Sequence, residues 1–139
     1  VPFGRYANPR VLDEELLRAA SRALSGVEVL EEDFEEIAGR ASAGDATYFD
    51  PPYLPLSRTS SFTAYGAHPF GDAEHARLAQ VYRACLDRGV AAVLSNSWCP
   101  RTLALYDGLA CEKVLVSRNI NSVPGGRGRI PELLVTGRI

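Results

Sequence analysis

The sequence has 139 residues, 46% of them hydrophobic and 23% charged, which is the size and composition of one folded domain. These proportions exclude a disordered or fibrous chain, and no apolar run reaches the ~20 residues of a membrane span. The formal net charge is only −2, but acidic residues dominate the stretch 13–50 and arginines gather near both ends. The charge balance therefore does not exclude a nucleic-acid partner.

The cysteines and the N-terminus bear on where the protein works. Three cysteines without C-x-x-C spacing argue against a disulfide framework or a zinc site, and no apolar segment near Val1 resembles a secretory signal. We therefore expect reduced thiols in a cytoplasmic protein. Because the chain begins with Val1 and contains no methionine, we also expect a translation start upstream.

The first half of the chain predicts two helices and two strands. Residues 1–9 have the composition of a loop, and acidic residues followed by arginines and Gly26 favour a helix over Asp13–Leu24. The elements predicted next are a strand over Val27–Leu30, a helix over Phe34–Ala41 and a strand over Ala46–Phe49. The Ser-, Thr-, Pro- and Gly-rich stretch Leu54–Gly71 predicts a long loop, and loops of that length are usually functional.

The second half predicts two further helices and three strands. Asp72 is expected to cap a helix that ends at Asp87, with Leu78, Ala79, Tyr82 and Leu86 on one face. The remaining elements are predicted at Val90–Leu94 (strand), Arg101–Leu109 (helix), Lys113–Ser117 (strand) and Pro131–Thr136 (strand). This alternation predicts a mainly parallel α/β sheet whose last two strands form an antiparallel pair at one edge.

The segment Asp50-Pro51-Pro52-Tyr53 carries the clearest chemistry. It follows a predicted strand, at the edge where open α/β sheets bind ligands, and two prolines make a rigid turn with outward carbonyls. A carboxylate and a carbonyl suit the two hydrogens of an exocyclic amine, and an aromatic ring can stack on the base that bears it. Held in this way, the amine nitrogen becomes a better nucleophile toward a methyl group, and no strong base is needed before transfer. An ordinary strand-ending turn is the alternative, and the neighbouring aromatic and buried strand favour the functional interpretation.

Other residue types give weaker signals. His68 and His75 have no partners at ligand spacing and are expected to be ordinary surface or loop histidines, so no metal site is predicted. Asn96 and Trp98, near the end of a strand, are compatible with a pocket wall, although a packed Trp is favoured. Arg127 and Arg129 are expected to face phosphate, although surface arginines beside glycines are also common without a partner.

Four segments in order resemble the Dam-type DNA adenine-N6 methyltransferases. They are Val1–Tyr6 (VPFGRY), Asp50–Tyr65 (beginning DPPYLPLS and ending SFTAY), Leu94–Ser97 (LSNS) and Ile120–Val135, which contains INS, GGRGR and ELLV. The resemblance implies a Rossmann-like sheet that binds S-adenosylmethionine, with helices on both faces. It also implies methyl transfer to the N6 amine of adenine in duplex DNA, with the base flipped out of the helix.

The resemblance assigns roles residue by residue. Asp50, Pro51, Pro52 and Tyr53 form the catalytic motif that holds the flipped adenine, and Asp50 also touches the methionyl part of the cofactor. Asp33 and Phe34 match the position that contacts the adenosine of the cofactor, and a helix N-cap with a core Phe explains them equally well. The DNA-facing positions are Pro2, Arg5, Tyr6, Ser57, Thr59, Phe62, Thr63, Tyr65, Arg127 and Arg129.

The chain also departs from the family pattern. The glycine-containing F-x-G-x-G segment after the first strand, the acidic ribose contact and most of the DNA-recognition module have no counterpart. We therefore interpret residues 1–10 as the end of the DNA-recognition region and residues 11–139 as the C-terminal part of the catalytic domain. The N-terminal half, with its strands, is expected as a contiguous or separate segment.

Two other functions stay open at this point. A methyltransferase acting on a glutamine amide or a cytosine amine uses the same acceptor chemistry, although the FGRY and SFTAY segments weigh against it. A non-catalytic remnant that binds DNA weakly through its arginines is the alternative from a different class. A restriction partner is one of several biological roles compatible with the sequence.

Overall fold

The computed structural model describes residues 12–56, 70–117 and 129–137. The chain divides into two compact units, Val1–Glu31 and Glu32–Ile139. The helices are α1 (Glu14–Ala23), α2 (Phe34–Gly39), α3 (Asp72–Asp87) and α4 (Pro100–Leu105), and the strands are β1 (Ala46–Phe49), β2 (Ala91–Ser97), β3 (Ala110–Ser117) and β4 (Arg129–Gly137). None of the helices in the described ranges has the length and apolar character needed to cross a membrane.

In the first unit, the predicted helix is confirmed and the predicted strand is wrong. The Asp13 carboxylate accepts a hydrogen bond from the backbone N–H of Leu16 at 3.2 Å and so caps α1, whose first turn is acidic. Val27–Leu30 lies outside any strand. An apolar, extended sequence becomes a strand only when a neighbouring strand satisfies its backbone groups, and the described sheet does not include it.

The second unit is built on a four-stranded sheet in the order β1-β2-β4-β3. β1 pairs with β2 in parallel, with Phe49 opposite Leu94, whereas β4 runs antiparallel to both β2 and β3. The predicted α/β architecture and the antiparallel pair at one edge are therefore confirmed. The described sheet is mixed and not mainly parallel as predicted, because only one of its three strand pairings is parallel. Three strands point the same way, and β4 is the single reversed strand between them.

The core lies between α3 and one face of this sheet. Tyr82 of α3 is fully buried and donates its hydroxyl to the backbone carbonyl of Ala92 at 2.8 Å. Its ring lies 6.1 Å from that of Phe49 and 5.7 Å from that of Tyr106. One side chain therefore ties α3 to β1, to β2 and to the residue that ends α4.

The two faces of the sheet differ in burial. Leu94, Leu133 and Val135 are buried in the core that α3 completes. On the opposite face, Tyr48 of β1 is 63% exposed, and Val116 of β3 is also exposed. The described helices of this unit cover the first face, and helices on both faces remain a prediction.

Several boundaries differ from those predicted. Gly71 is the N-cap residue of α3 and Asp72 is its first helical residue, so Asp72 is not the cap. α4 ends at Leu105 because the chain turns through Gly108, whose φ of +80° favours glycine. β2 continues to Ser97, three residues beyond the predicted end, because β4 pairs with Ser95, Asn96 and Ser97.

Candidate active site

The four residues of the DPPY segment follow β1 directly, beside the C-terminal half of β2. Because β1 and β2 are parallel and Phe49 is opposite Leu94, the residues that follow these two lie next to each other. Ser95 donates its hydroxyl to Oδ1 of Asp50 at 2.9 Å. The Tyr48 hydroxyl donates in turn to Oγ of Ser95 at 3.0 Å. The predicted carboxylate is thus held from the neighbouring strand.

The chain after the two prolines is held by buried side chains of β2. The amide Oδ1 of Asn96 accepts the backbone N–H of Leu54 at 3.0 Å and that of Ser97 at 2.8 Å. Ser97 donates its hydroxyl to the carbonyl of Leu54 at 2.7 Å. Asn96 is fully buried and Leu54 is 3% exposed. Asn96 is therefore an anchor for the DPPY segment, and Trp98 packs against the core, as favoured from the sequence.

Tyr53 is oriented through its hydroxyl, which donates to Oε2 of Glu132 on β4 at 3.1 Å. Burial is the main cause that raises the pKa of Tyr53 to about 12. The Ser95 hydroxyl acts in the opposite direction, and the Glu132 and Asp50 carboxylates raise this pKa further. The phenol therefore stays protonated at neutral pH and keeps its hydrogen bond. One end of the ring is thereby fixed and a half-buried aromatic surface remains beside the Asp50 carboxylate.

A cavity of about 500 Å³ opens beside the DPPY segment, within the usual range for small-molecule sites. β1 and the first three residues of the motif form one wall, and α2 forms another. Its lining is mostly apolar: Phe34, Ile37, Ala38, Ala46, Thr47, Tyr48, Phe49, Asp50, Pro51, Pro52, Phe70 and Leu78. Asp50 is the one carboxylate of this lining, whereas Tyr53 lies outside it.

Asp33 and Phe34 stand on the α2 side of the cavity. The Asp33 carboxylate caps α2 by accepting the N–H of Glu35 at 2.9 Å, and it receives both guanidinium nitrogens of Arg77 at 2.8 Å. The hydrogen bond from Arg77 lowers the pKa of Asp33 to about 2. Arg77 also places its Cζ 4.0 Å from the centre of the Phe34 ring. Phe34 lines the cavity, and Asp33 is an N-cap whose carboxylate is paired with Arg77.

The predicted DNA-facing residues fall almost entirely outside the described ranges. These are Pro2, Arg5, Tyr6, Ser57, Thr59, Phe62, Thr63, Tyr65 and Arg127. Arg129 is described: it begins β4 opposite Ser117 and is exposed. Its role toward phosphate remains a prediction.

The expectation that His75 is a surface or loop residue is wrong. It lies on α3, is 1% exposed, and neither ring nitrogen has a hydrogen-bond partner. Burial lowers its pKa, and its ring packs edge-on against Phe70 with centroids 4.8 Å apart. Within residues 12–56, 70–117 and 129–137, no group of three metal-ligating side chains forms a metal site. All three cysteines are described and free.

Sequence reasoning missed the residues that support the site. From the sequence, Ser95 and Ser97 have no assigned role, Asn96 is treated only as a candidate pocket wall, and Arg77 is not singled out. A signal for the first three was present, because polar residues ending an apolar strand beside the catalytic strand must have hydrogen-bond partners. No comparable signal marked Arg77, whose partners on α2 are more than forty positions away.

Comparisons with known proteins agree with this geometry. Residues 1–122 match the model of the D12 class N6 adenine-specific DNA methyltransferase family. The chain is 38% identical over 138 residues to Type II methyltransferase M1.LlaDCHI of Lactococcus lactis subsp. cremoris, covering 98% of this chain and 49% of that protein. It is 43% identical over 122 residues to Type II methyltransferase M.MjaIII of Methanocaldococcus jannaschii, covering 87% and 42%.

A further relative is the DNA adenine methylase of Escherichia coli (strain K12), which is 35% identical over 134 residues, covering 96% of this chain and 48% of that protein. The chain thus spans about half the length of these curated relatives. The family match covers most of the 139 residues, including the DPPY segment and the polar end of β2. The chain belongs to the D12 class of N6 adenine-specific DNA methyltransferases.

Proposed function

We propose that this chain is the C-terminal catalytic part of an enzyme that methylates the N6 amine of adenine in duplex DNA, using S-adenosylmethionine. The observation that carries the proposal is the position of Asp50. Its carboxylate lies on the wall of a 500 Å³ cavity, and the Tyr53 ring that follows it lies outside that cavity. One carboxylate thus stands between a pocket for the methyl donor and an aromatic surface for the acceptor base.

The cavity suits S-adenosylmethionine in its chemistry. A mostly apolar lining with Phe34 and Phe70, whose ring centroids are 6.0 Å apart, offers aromatic surface for an adenine ring. Asp50 offers negative charge to the ammonium group of the methionyl part. When bound there, S-adenosylmethionine supplies an electrophilic methyl group. Phe34 is the residue we assign to the adenosine side, and Asp33 acts by capping α2 and fixing Arg77.

The protein residues then prepare the acceptor nitrogen. Asp50 and the carbonyl of Pro51 accept the two N–H groups of the amine, and the Tyr53 ring stacks on the flipped base. Drawing both hydrogens toward oxygen acceptors reduces conjugation of the nitrogen lone pair with the ring. After transfer the nitrogen carries an acidic proton, which the Asp50 carboxylate, as the basic oxygen group of the motif, can accept. Base stacking on an aromatic side chain contributes ~1–3 kcal/mol to binding in proteins that bind single strands, and we expect a similar contribution from the Tyr53 ring.

The described sheet supports a larger catalytic domain. β1 is an edge strand that pairs with β2 on one side, and an unpaired strand edge invites further pairing. We propose that further N-terminal strands of the domain pair with β1 and that they carry the glycine-rich part of the cofactor site. Residues 1–10 are proposed as the end of the DNA-recognition region, where Pro2, Arg5 and Tyr6 meet the duplex.

Transfer of a labelled methyl group tests the function. The complete gene product that contains these residues is incubated with labelled S-adenosylmethionine and three duplexes: one with adenine, one with N6-methyladenine at every adenine, and one of G·C pairs only. We expect label in the first alone. Label in the G·C duplex would favour a cytosine amine, and no label in any would favour a DNA-binding remnant. The isolated 139-residue chain is expected to bind the cofactor poorly and transfer almost nothing.

A further inference from the structure

The Asp50 carboxylate is held by a chain of two hydroxyl groups. Tyr48 donates to Oγ of Ser95 at 3.0 Å, and Ser95 donates to Oδ1 of Asp50 at 2.9 Å. A phenol and a serine hydroxyl carry one proton each, so the direction of the chain follows from its acceptor end. Because a carboxylate only accepts hydrogen bonds, Ser95 must donate its hydroxyl proton to Asp50. The Ser95 oxygen then accepts the hydroxyl proton of Tyr48.

The two hydroxyl-bearing residues differ in their surroundings. Ser95 is 6% exposed and sits on β2, opposite Leu134 of β4 and one residue after Leu94, which pairs with Phe49 of β1. Tyr48 is 63% exposed and points away from the core, so its ring contributes little to packing. A mostly exposed aromatic residue that gives its hydroxyl to a buried serine contributes mainly through that hydrogen bond.

We propose that Tyr48 and Ser95 are positioning residues that turn Asp50 so that its second oxygen, Oδ2, faces the acceptor amine. This inference rests on the proposed function and adds two residues to it. With Oδ1 occupied by Ser95, Oδ2 receives no hydrogen bond from the described part of the chain. A hydrogen bond to a charged group fixes the carboxylate plane, and the oxygen left over is the one that meets the ligand.

The assignment follows from strand register. Ser95 comes one residue after Leu94, and Asp50 comes one residue after Phe49, its parallel partner. Asp50 directly follows β1 and comes two positions after Tyr48, and both side chains lie on the same face of the sheet, since the Ser95 hydroxyl contacts both. Ser95 projects from that face of β2 and reaches both. One residue of β1, one residue of β2 and the first residue after β1 therefore form the chain.

A double-mutant cycle in the complete gene product tests the proposal. Ser95→Ala is expected to lower kcat ~10- to 100-fold, the range for losing a hydrogen bond to a charged group, with KM for the duplex little changed. Tyr48→Phe is expected to lower kcat only about 3- to 10-fold, because Ser95 can still donate. The double variant is expected to match Ser95→Ala, since Tyr48 acts through Ser95. Ser95→Thr, which keeps the hydroxyl, restores most of kcat.

The controls separate positioning from folding. Ser117→Ala, an exposed serine on β3 at the opposite edge of the sheet, is the matched substitution and is expected to keep wild-type kcat. Unfolding temperatures identify any variant whose loss comes from instability. A kcat within twofold of wild type for Ser95→Ala, or a double variant whose loss equals the product of the single losses, overturns the proposal.

The failure of this proposal is distinguishable from the failure of the proposed function. The function is judged by the wild type on the three duplexes, whereas the positioning role is judged by ratios between variants. A crystal structure of the Ser95→Ala variant gives a test that needs no activity. We expect the Asp50 carboxylate to rotate away from its wild-type orientation, and an unchanged carboxylate overturns the proposal.

Discussion

The two walls of the 500 Å³ cavity are held by different forces. On the β1 side, the DPPY segment is fixed by Ser95, Asn96 and Ser97, all of which are less than 10% exposed. On the α2 side, Asp33 and Phe34 are fixed by Arg77, whose ion pairs with Asp33, Glu35 and Glu74 are partly open to solvent. Buried hydrogen bonds hold the first wall, whereas the second combines partly exposed ion pairs with the packing of Ala38 in the core.

This difference determines which wall can adapt. A buried polar group that loses its partner costs its full desolvation energy, so the DPPY wall has one arrangement. Exposed ion pairs contribute little and weaken with salt, so the N-terminal end of α2, at Asp33 and Glu35, can shift at smaller cost. Under the proposed function, the rigid wall is the one that meets the acceptor amine, and the adjustable wall is the one assigned to the cofactor.

The largest effect is expected from Asp50→Ala, which leaves the rigid wall in place and removes its acceptor. Losing an electrostatic contact made to the reacting group typically costs ~10²- to 10³-fold in kcat. Duplex affinity should change little, because phosphate contacts supply most of it. Rates and duplex dissociation constants, measured together on the complete gene product, check this. Equal losses in both would contradict the assigned role.

The next effect tests the rigidity of that wall. Asn96→Ala removes the acceptor for the buried N–H groups of Leu54 and Ser97, and each unpaired group costs ~1–3 kcal/mol. We expect a lower free energy of unfolding together with lower activity, measured by urea denaturation. Ser117→Ala serves as the exposed control. Stability within ~0.5 kcal/mol of wild type would show that the DPPY segment is held from elsewhere.

Substitutions of Tyr53 separate its ring from its hydroxyl. Tyr53→Ala should weaken binding of the flipped base by ~1–3 kcal/mol, whereas Tyr53→Phe should lose only the hydrogen bond to Glu132. Glu132→Gln keeps an acceptor for that hydroxyl and should behave like wild type. Fluorescence of a duplex with 2-aminopurine at the target position reports the flipped base. A Tyr53→Phe loss as large as that of Tyr53→Ala would contradict stacking as the role of the ring.

The smallest effects are expected on the adjustable wall. Arg77→Met keeps an apolar stem over Phe34 and removes the ion pairs, so cofactor affinity should fall a few-fold and lose part of its salt dependence. Since the depressed pKa of Asp33 is about 2, its contribution to stability is present above the ordinary pKa of an aspartate and is lost as pH falls toward 2. Carboxyl shifts in NMR should show Asp33 titrating near pH 2, and higher in Arg77→Met. If Asp33 titrates at the same pH in Arg77→Met, Arg77 is not the cause of its low pKa.

Local signals explain what the sequence predicted correctly. Ala46–Phe49 and Asp72–Asp87 match β1 and α3 at both ends, because prolines follow the strand and Gly71 and Gly89 flank the helix. Of the two interpretations of Asp33 and Phe34, the N-cap is present at Asp33, whereas Phe34 lines the cavity and its contact with a cofactor stays a prediction. The burial of His75 was also open to prediction. It lies three and seven positions before Leu78 and Tyr82, on the same helix face.

The parts not predicted depend on contacts between distant segments. Val27–Leu30 has strand composition, but the described sheet offers it no pairing. Ser95 reaches Asp50 only because the register of β1 and β2 sets residues 45 positions apart side by side. Arg77 meets Asp33 through the packing of α3 against α2, which no periodicity encodes.

That same register has a consequence for how such proteins diverge. The hydroxyl chain joins Tyr48, Ser95 and Asp50 across two adjacent strands, so its geometry depends on the register of β1 and β2. Changes of length or sequence confined to residues 57–69 therefore leave the donors and the acceptor of this chain unaltered. Under the proposed function, target preference can diverge over evolutionary time through residues 57–69 while Asp50 keeps its two hydroxyl supports.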